Sequence, residues 1–180
     1  MTSQENNDLY LLQNLIDRLK LSLKRGSKIS NMEILKSIYA FKNVFRPRDD
    51  NWRRRMNEEI LAFSIFKHGK DMDYLPHFKS LIPSMENNSI FYVKIRKGNN
   101  QEEIGIIKLP IYYPYKPPVS LISTKGYLEV YTQHTDPKKC LGELVSWDSG
   151  GKMGIAHWLL IVEFYIALTK HFISIKTNNL

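Results

Sequence analysis

The order of patterns along the chain predicts an α+β protein. Helical spacing comes first, then strands with alternating apolar residues, then an irregular proline-rich segment, and last a helix apolar on nearly every side. Strands and helices are grouped rather than interleaved, which argues against βαβ units and a parallel sheet.

Leu9, Leu12, Leu15, Ile16, Leu19 and Leu23 share one face of a helix over 9–23, and Gly26 supplies the stop. Ser30 and Glu33 form a capping-box pair that opens a second helix through Ile34, Ile38, Phe41 and Phe45. Pro47 ends it, because the residue before a proline is pushed out of helical geometry. Residues 1–48 thus read as a helical extension, 49–174 as the main domain and 175–180 as a polar tail. Arg18, Lys20, Lys24, Arg25 and Lys28 follow Asp17 without an intervening acid. They read as a solvated basic face, with neither a nucleic-acid motif nor interleaved aromatics.

Asp49 or Asp50 caps a third helix that turns Trp52, Met56, Ile60, Phe63 and Phe66 towards a core. Its first turn holds Arg53, Arg54 and Arg55, where the helix dipole favours acids. A counterpart for these charges is expected, either an external partner or the neighbouring Asp49 and Asp50. The pattern is weak over 68–88, with a strand predicted at 78–82. Phe91, Val93 and Ile95 alternate with Tyr92, Lys94 and Arg96, a half-buried strand. A turn over 97–100 leads to a returning strand with Ile104, Ile106 and Leu109, and 119–123 forms another. The sum is a four-stranded antiparallel meander. Between Trp158 and Leu168 only Glu163 is charged, so a helix over 155–172 lies largely buried across the sheet. The polar tail after it frays.

A chain of 180 residues, 43% hydrophobic and 12% aromatic, builds one domain with a proper core and is not a disordered composition. The net charge of +8 suits an acidic partner and equally serves solubility. The single cysteine excludes an internal disulfide and a cysteine-based zinc site. Neither a metal nor a cofactor is expected. The longest apolar run falls well short of the roughly 20 residues that a membrane span needs. The polar opening MTSQENNDLY does not read as a signal peptide. A soluble, cytoplasmic protein is expected.

The chain is organised around residues 109–147, which read LPIYYPYKPP, an irregular segment, and HTDPKKCLGELVSW. Proline fixes its own φ and lacks a backbone donor. Pro110, Pro114, Pro117, Pro118 and Pro137 therefore make a rigid scaffold rather than a regular element. What the scaffold holds is Cys140. Against that, a lone cysteine is ordinarily a small buried hydrophobe.

The ordered set resembles the ubiquitin-conjugating enzyme family over roughly residues 50–173. Tyr113, Pro114, Pro117 and Pro118 match its YP-x-x-PP signature. Cys140-Leu141, 27 residues after Tyr113, resembles its active-site Cys-Leu, and Trp147 follows seven residues later. The family's His-Pro-Asn is absent: the region before the cysteine reads LEVYTQHTDPKKC. No TPYEGG-like segment precedes the prolines, and Trp147-Asp148-Ser149-Gly150 stands where the family has Trp-Ser-Pro-Ala. These two loops are where the family docks ligases.

The resemblance implies a UBC-like fold and a transthiolation at Cys140. The thiolate accepts the C-terminal glycine of ubiquitin or a ubiquitin-like protein from an activating enzyme and passes it to an amine. A ligase or a target protein is a further partner. Lys138 and Lys139 favour a thiolate. The tetrahedral intermediate needs donors, which His134, Gln133 or local backbone amides can supply. His134 can alternatively deprotonate the incoming lysine, or be a plain surface histidine. The family also implies that Arg53, Arg54 and Arg55 contact the activating enzyme. His157, His171 and Trp147 read as structural. The competing readings are a catalytically inactive UBC-like interaction module, of the variant or RWD type, and a nucleic-acid binder led by the basic hairpin. A cysteine hydrolase ranks last, since no histidine has a family-specific context beside Cys140.

Overall fold

The computed structural model describes residues 28–69 and 72–178, with side chains for all of these except 28–31, 99 and 170–178. Among them are three helices, α1 (Lys28–Ile38), α2 (Trp52–His68) and α3 (Ile155–Asn178). One antiparallel sheet contains β1 (Phe78–Pro83), β2 (Ile90–Arg96), β3 (Glu102–Lys108), β4 (Ser120–Ser123) and β5 (Glu129–Tyr131), side by side in sequence order. The α+β class holds. The expected four strands become five, because Glu129, Val130 and Tyr131 pair with Ile122, Leu121 and Ser120. Three residues with one inward apolar side chain are too few for an alternating pattern to register.

The strands alternate as a one-sided sheet should. Phe91, Val93 and Ile95 of β2, Ile107 of β3, Leu121 of β4 and Val130 of β5 are buried on the inner face. They share one core with Trp52, Phe63 and Phe66 of α2 and with Ile155 to Val162 of α3. The opposite face is open. There Ile82, Tyr92, Ile106 and Ile122 stand in one cross-strand row, all partly exposed.

Three helix boundaries differ from the sequence expectation. The helix predicted over 9–23 lies outside the described residues. Ser30 falls inside α1 rather than before it, and α1 stops at Ile38 instead of running to Pro47. The cause is tertiary. The Glu58 carboxylate accepts from the amides of Lys42 (2.6 Å) and Asn43 (2.7 Å) and from the Tyr39 hydroxyl (2.7 Å), which draws that segment out of helical geometry. Burial works against the Glu58 charge, but these donors outweigh it and its pKa is lowered. Phe41 is then buried, and together with Leu35 it joins the same core as the rest. At the other end α3 continues to Asn178 and absorbs most of the expected tail. No glycine or proline follows Ile155 to stop it. The expected Asp49 or Asp50 cap of α2 is also absent: Asn51 holds the cap position, and Asp49 accepts from Arg46 instead.

Arg55 and Glu59 form an ion pair with neither side chain exposed (0% each, 2.8 Å). Arg55 also donates to the carbonyls of Asn43 (2.9 Å), Gly151 (2.9 Å) and Met153 (2.7 Å), and its guanidinium lies 3.8 Å from the centroid of the Phe41 ring. Glu59 accepts from the Tyr113 hydroxyl and from the amide of Ile155 (2.9 Å), the first residue of α3. One pair thereby joins α2, the 41–44 segment, the proline-rich stretch and the start of α3. Gly151 presents its carbonyl from a backbone with φ of +77°, a left-handed conformation that favours glycine.

His157 on α3 is fully buried, its Nε2 2.7 Å from the Tyr39 carbonyl and its Nδ1 accepting from the Gly154 amide (3.0 Å). Its structural role is as expected. Burial pushes its pKa down to about 4. The folded protein therefore holds it neutral, while the unfolded chain's imidazole binds a proton near the ordinary value of 6.5. Its contribution is fully present above about pH 6.5 and lost as pH falls towards about 4, some 3 kcal/mol in all. Between about pH 7 and pH 5 this site should cost the protein about 2 kcal/mol of stability. Urea unfolding at the two pH values measures it, and His157→Gln should show a correspondingly flatter dependence.

Candidate active site

Cys140 closes the short 3-10 turn Pro137–Lys139 and leads into a second one, Gly142–Leu144. Pro137 sets the first turn, and Asp136 caps it by accepting from the Lys138 amide (2.9 Å). Past the cysteine, the amide of Leu141 donates to the Tyr131 carbonyl (2.8 Å) and that of Gly142 to the Thr132 carbonyl (3.1 Å). Cys140 thus runs parallel to the end of β5, in a bridge with Tyr131. Gly142 has a φ of +50°, so the bend just after Cys140 and Leu141 favours glycine there.

The thiol is free and partly exposed, and it donates to the Thr132 carbonyl at 3.6 Å. Thr132 is the hub that the sequence did not disclose. Its hydroxyl donates to the Pro118 carbonyl and accepts from the Trp158 indole N–H (2.5 and 2.9 Å). It therefore connects the YP-x-x-PP segment, α3 and the cysteine. That segment is itself anchored, because the Pro114 carbonyl accepts from the Trp147 indole (2.9 Å). Tyr113 is fully buried. Burial and then the Glu59 carboxylate hold its phenol well above the usual value, so it remains a donor.

His134 is exposed and stacks on Tyr131, the ring centroids 4.6 Å apart and 29° between planes. Its Nδ1 accepts from the Asp136 amide (2.9 Å), which leaves the proton of the neutral ring on Nε2. Lys139 reaches Glu129 (3.1 Å) rather than standing free beside the thiol. That bond first, and then the Tyr131 hydroxyl, lowers the Glu129 pKa. On α2, Arg53 and Arg54 are exposed, whereas Arg55 is buried in the pair with Glu59. The expectation of a partner contact is therefore corrected for Arg55, whose counterpart is internal.

Thr132 and Tyr165 carry no local signal in the sequence. Tyr165 on α3 donates its hydroxyl to the Lys138 carbonyl. Both act through contacts distant in sequence, which no local spacing encodes. Arg55 was legible in principle: with Glu59 at i+4 it shares the face of Trp52, Phe63 and Phe66, which marks an inward pair.

Among the described residues, no group of His, Cys, Asp and Glu side chains could hold a metal ion, and no helix is long and apolar enough to cross a membrane. Thr132→Val should leave the Pro118 carbonyl and the Trp158 indole unpaired at a buried position, at a cost of roughly 2–4 kcal/mol in urea unfolding. Thr132→Ser, which keeps the hydroxyl, should cost about 1 kcal/mol. Comparison of the chain with family models, curated proteins and solved structures gives no match in any of the three.

Proposed function

We propose that the chain is a ubiquitin-like-protein conjugating enzyme with a UBC-like fold. Cys140 takes the C-terminal acyl group of the modifier as a thioester and passes it to an amine. The observation that carries this reading is the placement of Cys140. It is a partly exposed, free thiol at the junction of two short turns, and its backbone is held on both sides. The order of elements supports the fold assignment: helix, meander, proline-rich segment, cysteine turn and buried helix. In transfer, the Cys140 sulfur attacks the acyl carbon of the activating enzyme's thioester and that enzyme's thiolate leaves. An amine then attacks the new thioester, a C–N bond forms as the S–C bond breaks, and the amine's proton goes to solvent. Arg53 and Arg54 are the remaining candidates for contact with the activating enzyme.

A second reading, a non-catalytic interaction module on the same fold, is favoured by one observation. The thiol's partner is a carbonyl, an acceptor, while the oxyanion of acyl transfer needs donors. His134, the side-chain donor that the sequence offers, stacks on Tyr131 and has its Nδ1 occupied by the Asp136 amide. In the enzyme reading, its Nε2–H or a backbone amide of the bend supplies the donor.

With ATP, a cognate activating enzyme and its modifier, the protein should acquire an adduct at Cys140 that a thiol reductant removes. Cys140→Ser should give a reductant-resistant adduct. Absence of any adduct on the wild type would favour the non-catalytic module.

A further inference from the structure

Resting on that reading, we infer that Tyr165 is a positioning residue for Cys140, fixing the turn that delivers the nucleophile by its bond to the Lys138 carbonyl. The backbone around Cys140 is held differently on its two sides. After the cysteine, the ties are main-chain bonds from Leu141 and Gly142 to Tyr131 and Thr132 at the end of β5. Before it, the turn is held by side chains. The Asp136 carboxylate accepts from the Lys138 amide, Lys139 pairs with Glu129 of β5 (3.1 Å), and the Tyr165 hydroxyl donates to the Lys138 carbonyl. The Lys139 amide, on the same peptide unit as that carbonyl, donates to the Asp136 carbonyl (3.1 Å).

Asp136 belongs to the turn itself, so its bonds shape the turn without placing it. Tyr165 belongs to α3, whose preceding residues from Ile155 to Phe164 are all buried. Its hydroxyl therefore refers the turn to the rigid part of the molecule. Thr132, bonded to Trp158 two helical turns earlier, does the same for the far side of the cysteine. The phenol is well suited to the task. Burial, then the Asp136 carboxylate and then Cys140, raise its pKa, so it stays a donor across the pH range in which amines attack thioesters.

The step that should depend on this placement is discharge. Exchange of a small thioester onto an exposed thiol is close to thermoneutral. Attack by a mostly protonated lysine is slow and relies on oriented dipoles around the developing oxyanion.

A chemical probe tests this without the natural modifier. The thiophenyl ester of N-acetylglycine is mixed with the full-length protein. The Cys140 sulfur bonds to the acyl carbon, thiophenolate leaves, and free lysine then discharges the adduct to an amide, as followed by intact mass. Tyr165→Phe removes only the hydroxyl. It should load like the wild type, keep its circular dichroism and melting midpoint, and discharge to lysine about 10–100-fold more slowly. Equal discharge rates would overturn the inference. So would a lowered melting midpoint with unchanged discharge per folded molecule, since that is what a purely structural tyrosine predicts. If the wild type takes up no acyl group, the enzyme reading falls and this inference with it. A wild type that loads and discharges beside an unaffected Tyr165→Phe overturns this inference alone.

Discussion

The arrangement depends on one charge pair removed from water, Arg55 with Glu59. Taking two charges out of solvent costs several kcal/mol per ion, and their attraction offsets this only where the remaining donors and acceptors are also satisfied. Here they are. Arg55 supplies three backbone carbonyls, and Glu59 receives the Tyr113 hydroxyl and the first amide of α3. Such a pair is not strong evidence of net stability, but it is strict about geometry. Loss of either partner leaves an uncompensated buried charge, at a cost of about 3–5 kcal/mol. The pair holds together α2, the 41–44 segment, the proline-rich stretch and the start of α3.

From that pair the supports run outward to the surface. Tyr113 fixes the start of the YP-x-x-PP segment, Trp147 closes over Pro114, and Pro118 hands the segment on to Thr132. Thr132 meets the thiol with its carbonyl and α3 with its hydroxyl, and Tyr165 reaches the turn on the other side. A side chain on a loop keeps one position only when a rigid frame holds that loop. The proline-rich stretch supplies such a frame through Pro118 and Thr132, and Cys140 lies partly exposed beside it.

Much of this was legible in the residues. The alternation of Phe91, Val93 and Ile95, the apolar run after Trp158, and prolines crowded before a lone cysteine each follow from local rules of period and backbone restraint. What was hidden depends on contacts between distant segments. Phe41 belongs by spacing to a helix, but the Glu58 carboxylate and the Arg55 guanidinium draw it into the core. The strand at Glu129 exists because β4 offers it a partner, not because three residues announce it. Thr132 and Tyr165 look like ordinary polar residues until the fold brings them to the cysteine. Arg55 misled because three successive arginines suggest a charged surface, when one of the three points inward.

On the proposed function, the native fold offers Cys140 to a reacting partner instead of burying it. Titration of the native protein with an aromatic disulfide tests it most directly, because the chain has one cysteine and the signal has one source. One thiol per chain should react without denaturant, with the fold intact by circular dichroism. A thiol that stays silent until the protein is unfolded would contradict it and make Cys140 a packing residue.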